Sequence, residues 1–248
     1  MSNLSPDTIQ QLVAKAFVLE ALTDKPGCTT RYEDLPGKPL QDFVIAGINA
    51  SSTFRLFAVA LAKDPNTPVF SFNVAALKAS NEHKSAKYIN FGLLEILFPT
   101  VAARLATDEP DKVVDMIVEV VKATNNNDVR SVLETRDIAW ATSVNDHKSG
   151  FQSGKYSELD SVWSFYTELK RDSAPETSNV KWIKQFESGL PILRNFFDGY
   201  QQSGEIMEST KVIFARERAA NPDVAVGIVA DMCAAAMFLW LSFNQRSV

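Results

Sequence analysis

The chain has 248 residues, of which 46% are hydrophobic and 22% charged, so it can bury a sizeable core and is not disordered as a whole. Twenty-five basic residues stand against thirty acidic ones, a net charge of −5, which excludes nucleic-acid binding by bulk charge alone and leaves room for a local basic groove. The two cysteines, Cys28 and Cys233, lie far apart and no secretory leader pattern opens the chain, so both read as free thiols of a cytoplasmic protein.

Ser5-Pro6-Asp7 is a helix start, with serine as N-cap and proline at the first helical position. Ile9, Leu12, Val13, Ala16 and Phe17 then make one apolar stripe that Pro26-Gly27 ends. Cys28 to Pro39 reads as a loop. Leu40 to Ile48 predicts a short helix, with Ser51 or Ser52 capping a second that buries Phe54, Phe57, Ala58 and Leu61. Asp64 to Pro68 is a break.

The stretch from Ser71 to Thr107 organises the first half. Tyr88, Phe91, Leu94, Leu97 and Phe98 share a helix face that Ile89, Leu93 and Ile96 widen, the pattern of a helix buried at the centre of a domain. Pro99 predicts a kink or break before a shorter helix through Val101 and Leu105. Lys78, His83, Lys84 and Lys87 lie just upstream, as a solvated helix end or as an anion-facing rim.

Asp108 predicts the cap of a helix carrying Val113, Val114, Ile117, Val120 and Val121, and Asn125-Asn126-Asn127 its end. A helix from Asp128 leads toward Trp140, and the polar segment 142–155 reads as a hinge. Further helices are expected over Tyr156–Arg171, Val180–Ser188, Ile192–Tyr200 and Glu205–Ala220. Asp223 to Phe243 is long enough to span a bilayer, but Asp231 near its middle costs about 2.5–3.5 kcal/mol there, which favours a buried or subunit-docking helix over a membrane span. The expected organisation is all-α and two-lobed: an N-terminal helix and arm (1–39), two helical lobes (40–144 and 145–221) and a C-terminal apolar helix (222–248), with the ends available for self-association.

No catalytic or dinucleotide-binding motif is present, and the scattered histidines and cysteines make no metal site, so the sequence calls for no cofactor, no metal and no enzyme. Gly150 to Lys155 is one residue too short for a phosphate loop, with Tyr156 where a serine or threonine is needed. Acidic pairs such as Asp231 with Glu217 have nothing in the sequence to bring them together. What remains is cations interleaved with aromatics, which is how single-stranded nucleic acid is held: Lys78, Lys84, Lys87 and Arg104 around the central helix, Lys181, Lys184 and Arg194 around Trp182, and Arg216 on a later helix. Each group is also what a solvated helix face looks like, and Asp198 could pair Arg194 without any ligand.

Trp163, Pro175, Trp182 and Phe196-Phe197-Asp198-Gly199, in that order, resemble a stretch of the flexuous, potexvirus-type coat proteins. The resemblance implies an all-helical subunit that clasps single-stranded RNA between two lobes and polymerises through terminal arms, as the nucleoproteins of segmented negative-strand RNA viruses also do. The reading is thus an RNA-encapsidating coat protein or nucleoprotein, a homo-oligomer in the virion, with those eight cations as its RNA contacts. A helical scaffold docking through the C-terminal apolar helix is the rival, and an enzyme with a pocket between helices the third class.

Overall fold

A computed structural model describes residues 4–82, 90–141 and 152–244. Within them lie eleven α-helices: α1 (Pro6–Leu22), α2 (Leu40–Lys63), α3 (Asn73–Asn81), α4 (Phe91–Ala106), α5 (Pro110–Lys122), α6 (Asn126–Ala141), α7 (Val162–Asp172), α8 (Ser178–Glu187), α9 (Pro191–Ser203), α10 (Met207–Ala220) and α11 (Val226–Phe243). A 3-10 turn at Ser153–Tyr156 precedes α7, and the described residues contain no strand beyond one bridge between Leu35 and Lys38. The all-α class is as the periodicity implied.

α1 starts where its cap chemistry places it: Ser5 Oγ accepts the Thr8 N–H at 3.1 Å, ahead of Pro6. It packs antiparallel on α2, since Phe17 lies against Gly47 and Asp7 pairs with Arg55 at 2.5 Å. α2 is one helix where two were expected. Ser51 and Ser52 do not cap a second helix; their hydroxyls donate to the Ile48 and Asn49 carbonyls at 2.7 and 3.0 Å, bonds that a continuing helix accommodates.

α4 also runs unbroken past the expected kink. Pro99 removes one N–H from the ladder, yet both turns around it stay helical and buried, with Leu94, Ile96, Leu97, Phe98 and Val101 all at 0% exposure. Tyr88 and Ile89, expected on the same face, lie outside the described residues. At its end Asp108 pairs with Arg104 at 2.8 Å instead of capping α5, whose N-cap is Glu109. Asn126 and Asn127 open α6 and do not close α5.

α11 explains its own apolarity: every side chain from Met232 to Leu239 is fully buried, packed among α1, α4, α9 and α10. Each large one contributes about 1.5–3 kcal/mol by leaving water. α2 and α11 are both long and apolar enough to cross a membrane, and α11 is for the most part enclosed by the protein itself. The core runs as one continuous cluster from α1 to α11.

The α1–α2 contact depends on a missing side chain. A Cβ at Gly47 would overlap the Phe17 side chain, whereas one at Gly154 meets nothing. Gly47→Ala is therefore expected to cost about 1–3 kcal/mol, lowering the melting temperature by several degrees in a thermal melt, while Gly154→Ala leaves it unchanged.

Candidate functional site

Charged side chains are rare in protein interiors, and this core holds several at one end of the bundle. Glu95 and Arg136 are 1% and 2% exposed, and their oxygen and nitrogen are 2.6 Å apart, joining α4 to α6. Tyr166 of α7 donates its hydroxyl to the same Glu95 oxygen at 2.6 Å, and Trp182 of α8 donates its indole N–H to that hydroxyl at 3.5 Å. Arg136 also reaches Asn179 Oδ1 at 3.1 Å and lies over the rings of Phe91 and Phe165. Burial first, then the Glu95 carboxylate, pushes the Tyr166 phenol well above its ordinary range, so it stays a donor.

A second buried pair sits where α1 ends. Lys25 is fully buried and lies 3.1 Å from Glu20 Oε1, with its ammonium also donating to the Glu20 and Thr23 carbonyls. Burial works against its charge, but the Glu20 carboxylate beside it holds its pKa above the usual lysine value. Burial raises both thiols to about 12, which makes them inert at neutral pH.

Between the two pairs stands Asp231 of α11. Its carboxyl lies against the first turn of α4, where the Leu93 amide favours its charged form. That turn has no side-chain cap of its own, because Asn90 adopts a left-handed conformation (φ 68°) and makes no capping bond. Gly92 makes the approach possible, since a Cβ there would overlap the Asp231 carboxyl. Burial, then Glu20 and Glu95, drives the Asp231 pKa well above the carboxylate range. Asp42, 2% exposed in the first turn of α2, lies at the same end as Glu20 by the antiparallel pairing of α1 with α2. One end of the bundle thus gathers Glu20, Lys25, Asp42, Glu95, Arg136 and Asp231. Among the described residues no three Asp, Glu, His or Cys side chains come together as a metal site.

The opposite end is mainly apolar apart from the buried Arg104. A cavity of about 560 Å³ lies between the C-terminal turns of α2, α4 and α5, lined by Ala58, Leu61, Ala102, Leu105 and Val120. Its one acid is Asp128, whose carboxylate accepts the Phe70 and Asn125 N–H groups at 2.7 and 3.0 Å.

Of the eight cations chosen from the sequence, the six that are described do not form this site. Lys84 and Lys87 lie outside the described residues. Arg104 is 6% exposed and ties α4 to the end of α11 through Ser242 Oγ at 3.0 Å and the Phe243 ring. Lys181 pairs with Asp223, Arg216 with Glu217 at 3.5 Å, and Arg194 with Asp115 of α5 at 2.5 Å, not with Asp198. Lys78 and Lys184 are exposed near the ends of α3 and α8. The rings meant for base stacking are spent in the core: Trp182, Phe196 and Phe197 are 6%, 0% and 2% exposed. Nor does Asp231 meet Glu217, which bonds Asn195 at 3.0 Å. The residues that do converge were missed because they come from separate elements and make no motif; an acid within an apolar helix was the available signal for Glu95 and Asp231.

Breaking a buried pair costs more than removing it. Arg136→Met strands Glu95 and is expected to cost about 3–5 kcal/mol in urea denaturation, whereas Arg136→Met with Glu95→Gln recovers part of that loss.

The family described as CitG, ATP:dephospho-CoA triphosphoribosyl transferase, matches residues 6–208, well over half of the chain. No curated protein and no solved structure matches it. The match overturns the RNA coat-protein reading, the virion and single-stranded RNA with it, and the expectation of no enzyme. The scaffold alternative fails as well, because α11 is buried and offers no docking face. With α1 to α9 inside the matched region, the chain belongs to the CitG family of transferases.

Proposed function

We propose that the protein carries out the transfer that its family's description names, moving the triphosphoribosyl group of ATP to dephospho-CoA. In such a transfer a hydroxyl of dephospho-CoA attacks C1′ of the ATP ribose and the C1′–N9 bond breaks. Adenine leaves with the bonding pair and takes up a proton, while the attacking hydroxyl gives one up. Positive charge builds on the ribose as adenine departs, and carboxylates are the side chains that stabilise it and accept the hydroxyl proton.

The observation that carries the reading is the family match over 6–208, which contains every helix supplying Glu20, Asp42, Glu95 and Arg136. The carboxylate-rich end supports it chemically. Glu95 is committed to Arg136 and Tyr166, so its part is to hold α4, α6 and α7 in register. Glu20 is likewise held by Lys25, and Asp42, in the first turn of α2, is the carboxylate assigned to the reacting hydroxyl and ribose.

The test is incubation of the purified protein with magnesium ATP and dephospho-CoA, followed by chromatography and mass spectrometry. The expected products are free adenine and dephospho-CoA heavier by one triphosphoribosyl group, in equal amounts. Asp42→Asn is expected to slow adenine release by about 10²–10⁴-fold with an unchanged circular dichroism spectrum. Adenine without the adduct would mean hydrolysis of ATP at C1′, and absence of both would overturn the proposal.

A further inference from the structure

Where α1 hands over to α2, at the carboxylate-rich end of the bundle, residues 29–38 form a loop drawn closed by Thr29. Its hydroxyl donates to the Lys38 carbonyl at 2.6 Å and accepts the Leu35 N–H at 3.1 Å. We infer that this loop carries an adenine subsite: Tyr32, backed by Arg31, is a stacking platform for the base of a substrate. The inference rests on the transfer proposed above, because ATP and dephospho-CoA both carry adenine.

Four observations carry it. The first is exposure. The other described rings are buried or half-buried, whereas Tyr32 is 68% exposed. A ring left in water beside a polar site has a face to offer, and a purine is a flat partner of matching size. The second is the residue behind it. The Arg31 guanidinium lies over the Tyr32 ring, 4.7 Å from its centroid, and pairs with no acid among the described residues. It covers one face and leaves the other open. By restricting the ring it reduces the freedom lost when a base arrives, and its charge is available to a phosphate.

The third observation is that the loop is built and does not hang free. Thr30 donates its N–H to the Glu33 carbonyl at 2.9 Å, and its hydroxyl accepts the Tyr32 N–H at 3.2 Å. Leu35 and Lys38 bridge across a turn in which Gly37 takes a left-handed conformation (φ 70°), one that a side chain would strain. The fourth is position. Asp34 accepts the Leu40 N–H at 2.6 Å, which ties the loop to the start of α2, and Asp42 follows in that first turn. The loop's charges balance, Arg31 and Lys38 against Glu33 and Asp34, so what it offers a nucleotide is a ring and one oriented guanidinium, not a bulk positive field.

The test is isothermal titration of wild type, Tyr32→Ala and Tyr32→Phe with magnesium ATP, with dephospho-CoA and with inorganic triphosphate, each separately. Tyr32→Ala is expected to bind at least one of the two adenine ligands about tenfold more weakly, the loss of one stacked base, with an unchanged circular dichroism spectrum. The ligand whose affinity falls is the occupant of the platform. Tyr32→Phe keeps the ring and should bind as wild type does, and inorganic triphosphate, which has no base, should bind all three proteins alike.

Equal affinity of wild type and Tyr32→Ala for both adenine ligands overturns the platform, even where adenine is released at the normal rate. A loss that Tyr32→Phe shares, or that extends to inorganic triphosphate, overturns stacking as its cause. Wild type that binds neither adenine ligand overturns it as well. If wild type binds them and Tyr32→Ala does so more weakly, but no adduct forms, the activity reading falls and the platform stands.

Discussion

Glu95 and Arg136 are the constraint around which the rest is arranged. Taking both charges out of water costs several kcal/mol per ion, and the 2.6 Å contact repays it where the remaining donors and acceptors are also satisfied. Tyr166 and Asn179 supply part of that, the first bonding Glu95 and the second Arg136, with Trp182 bonded behind Tyr166. One pair thereby fixes α4, α6, α7 and α8 relative to one another, through bonds that hydrophobic packing alone would not orient. α11 closes the other side of α4, and its fully buried run from Met232 to Leu239 makes the polar end a low-dielectric place where each charge must be accounted for.

This arrangement divides the bundle by chemistry. At one end α1 finishes, and α2 and α4 begin, so Glu20, Asp42 and Asp231 lie close to helix termini. At the other end the same helices enclose an apolar cavity whose acid is already held by two amides. A group transfer at a ribose carbon needs carboxylates in a place from which water can be excluded, and the first end meets that need while the second does not. The exposed basic clusters meet a different need. With Lys181, Arg194 and Arg216 each paired to an acid, they are surface electrostatics of the kind worth about 1 kcal/mol or less.

The helices were legible because their signals are local. The Ser5 cap, the stripes of α1 and α5 and the apolarity of α4 and α11 act within one element, and the structure keeps them. Errors came where a local rule had a competing outcome. Ser51 and Ser52 bond back within a helix instead of capping one, and Pro99 is tolerated in a helix buried on all sides. The site was illegible for a different reason. Glu20, Glu95, Arg136 and Asp231 are spread over more than 200 positions and make no motif; their chemistry exists only once four helices meet. Cations beside tryptophans, by contrast, are conspicuous in sequence, and Trp182 shows why they misled: its ring is core and its N–H serves Tyr166.

The central claim is that the carboxylate-rich end, and not the apolar cavity or the basic surface, receives the nucleotide. Titration of isotope-labelled protein with magnesium ATP, read as backbone amide shifts, tests it most directly. The account predicts shifts concentrated at the end of α1 and Lys25, at Asp42, at the first turn of α4 and around Asp231. Shifts confined to the cavity residues Ala58 to Val69, or to the Lys181 and Arg194 surfaces, would contradict it.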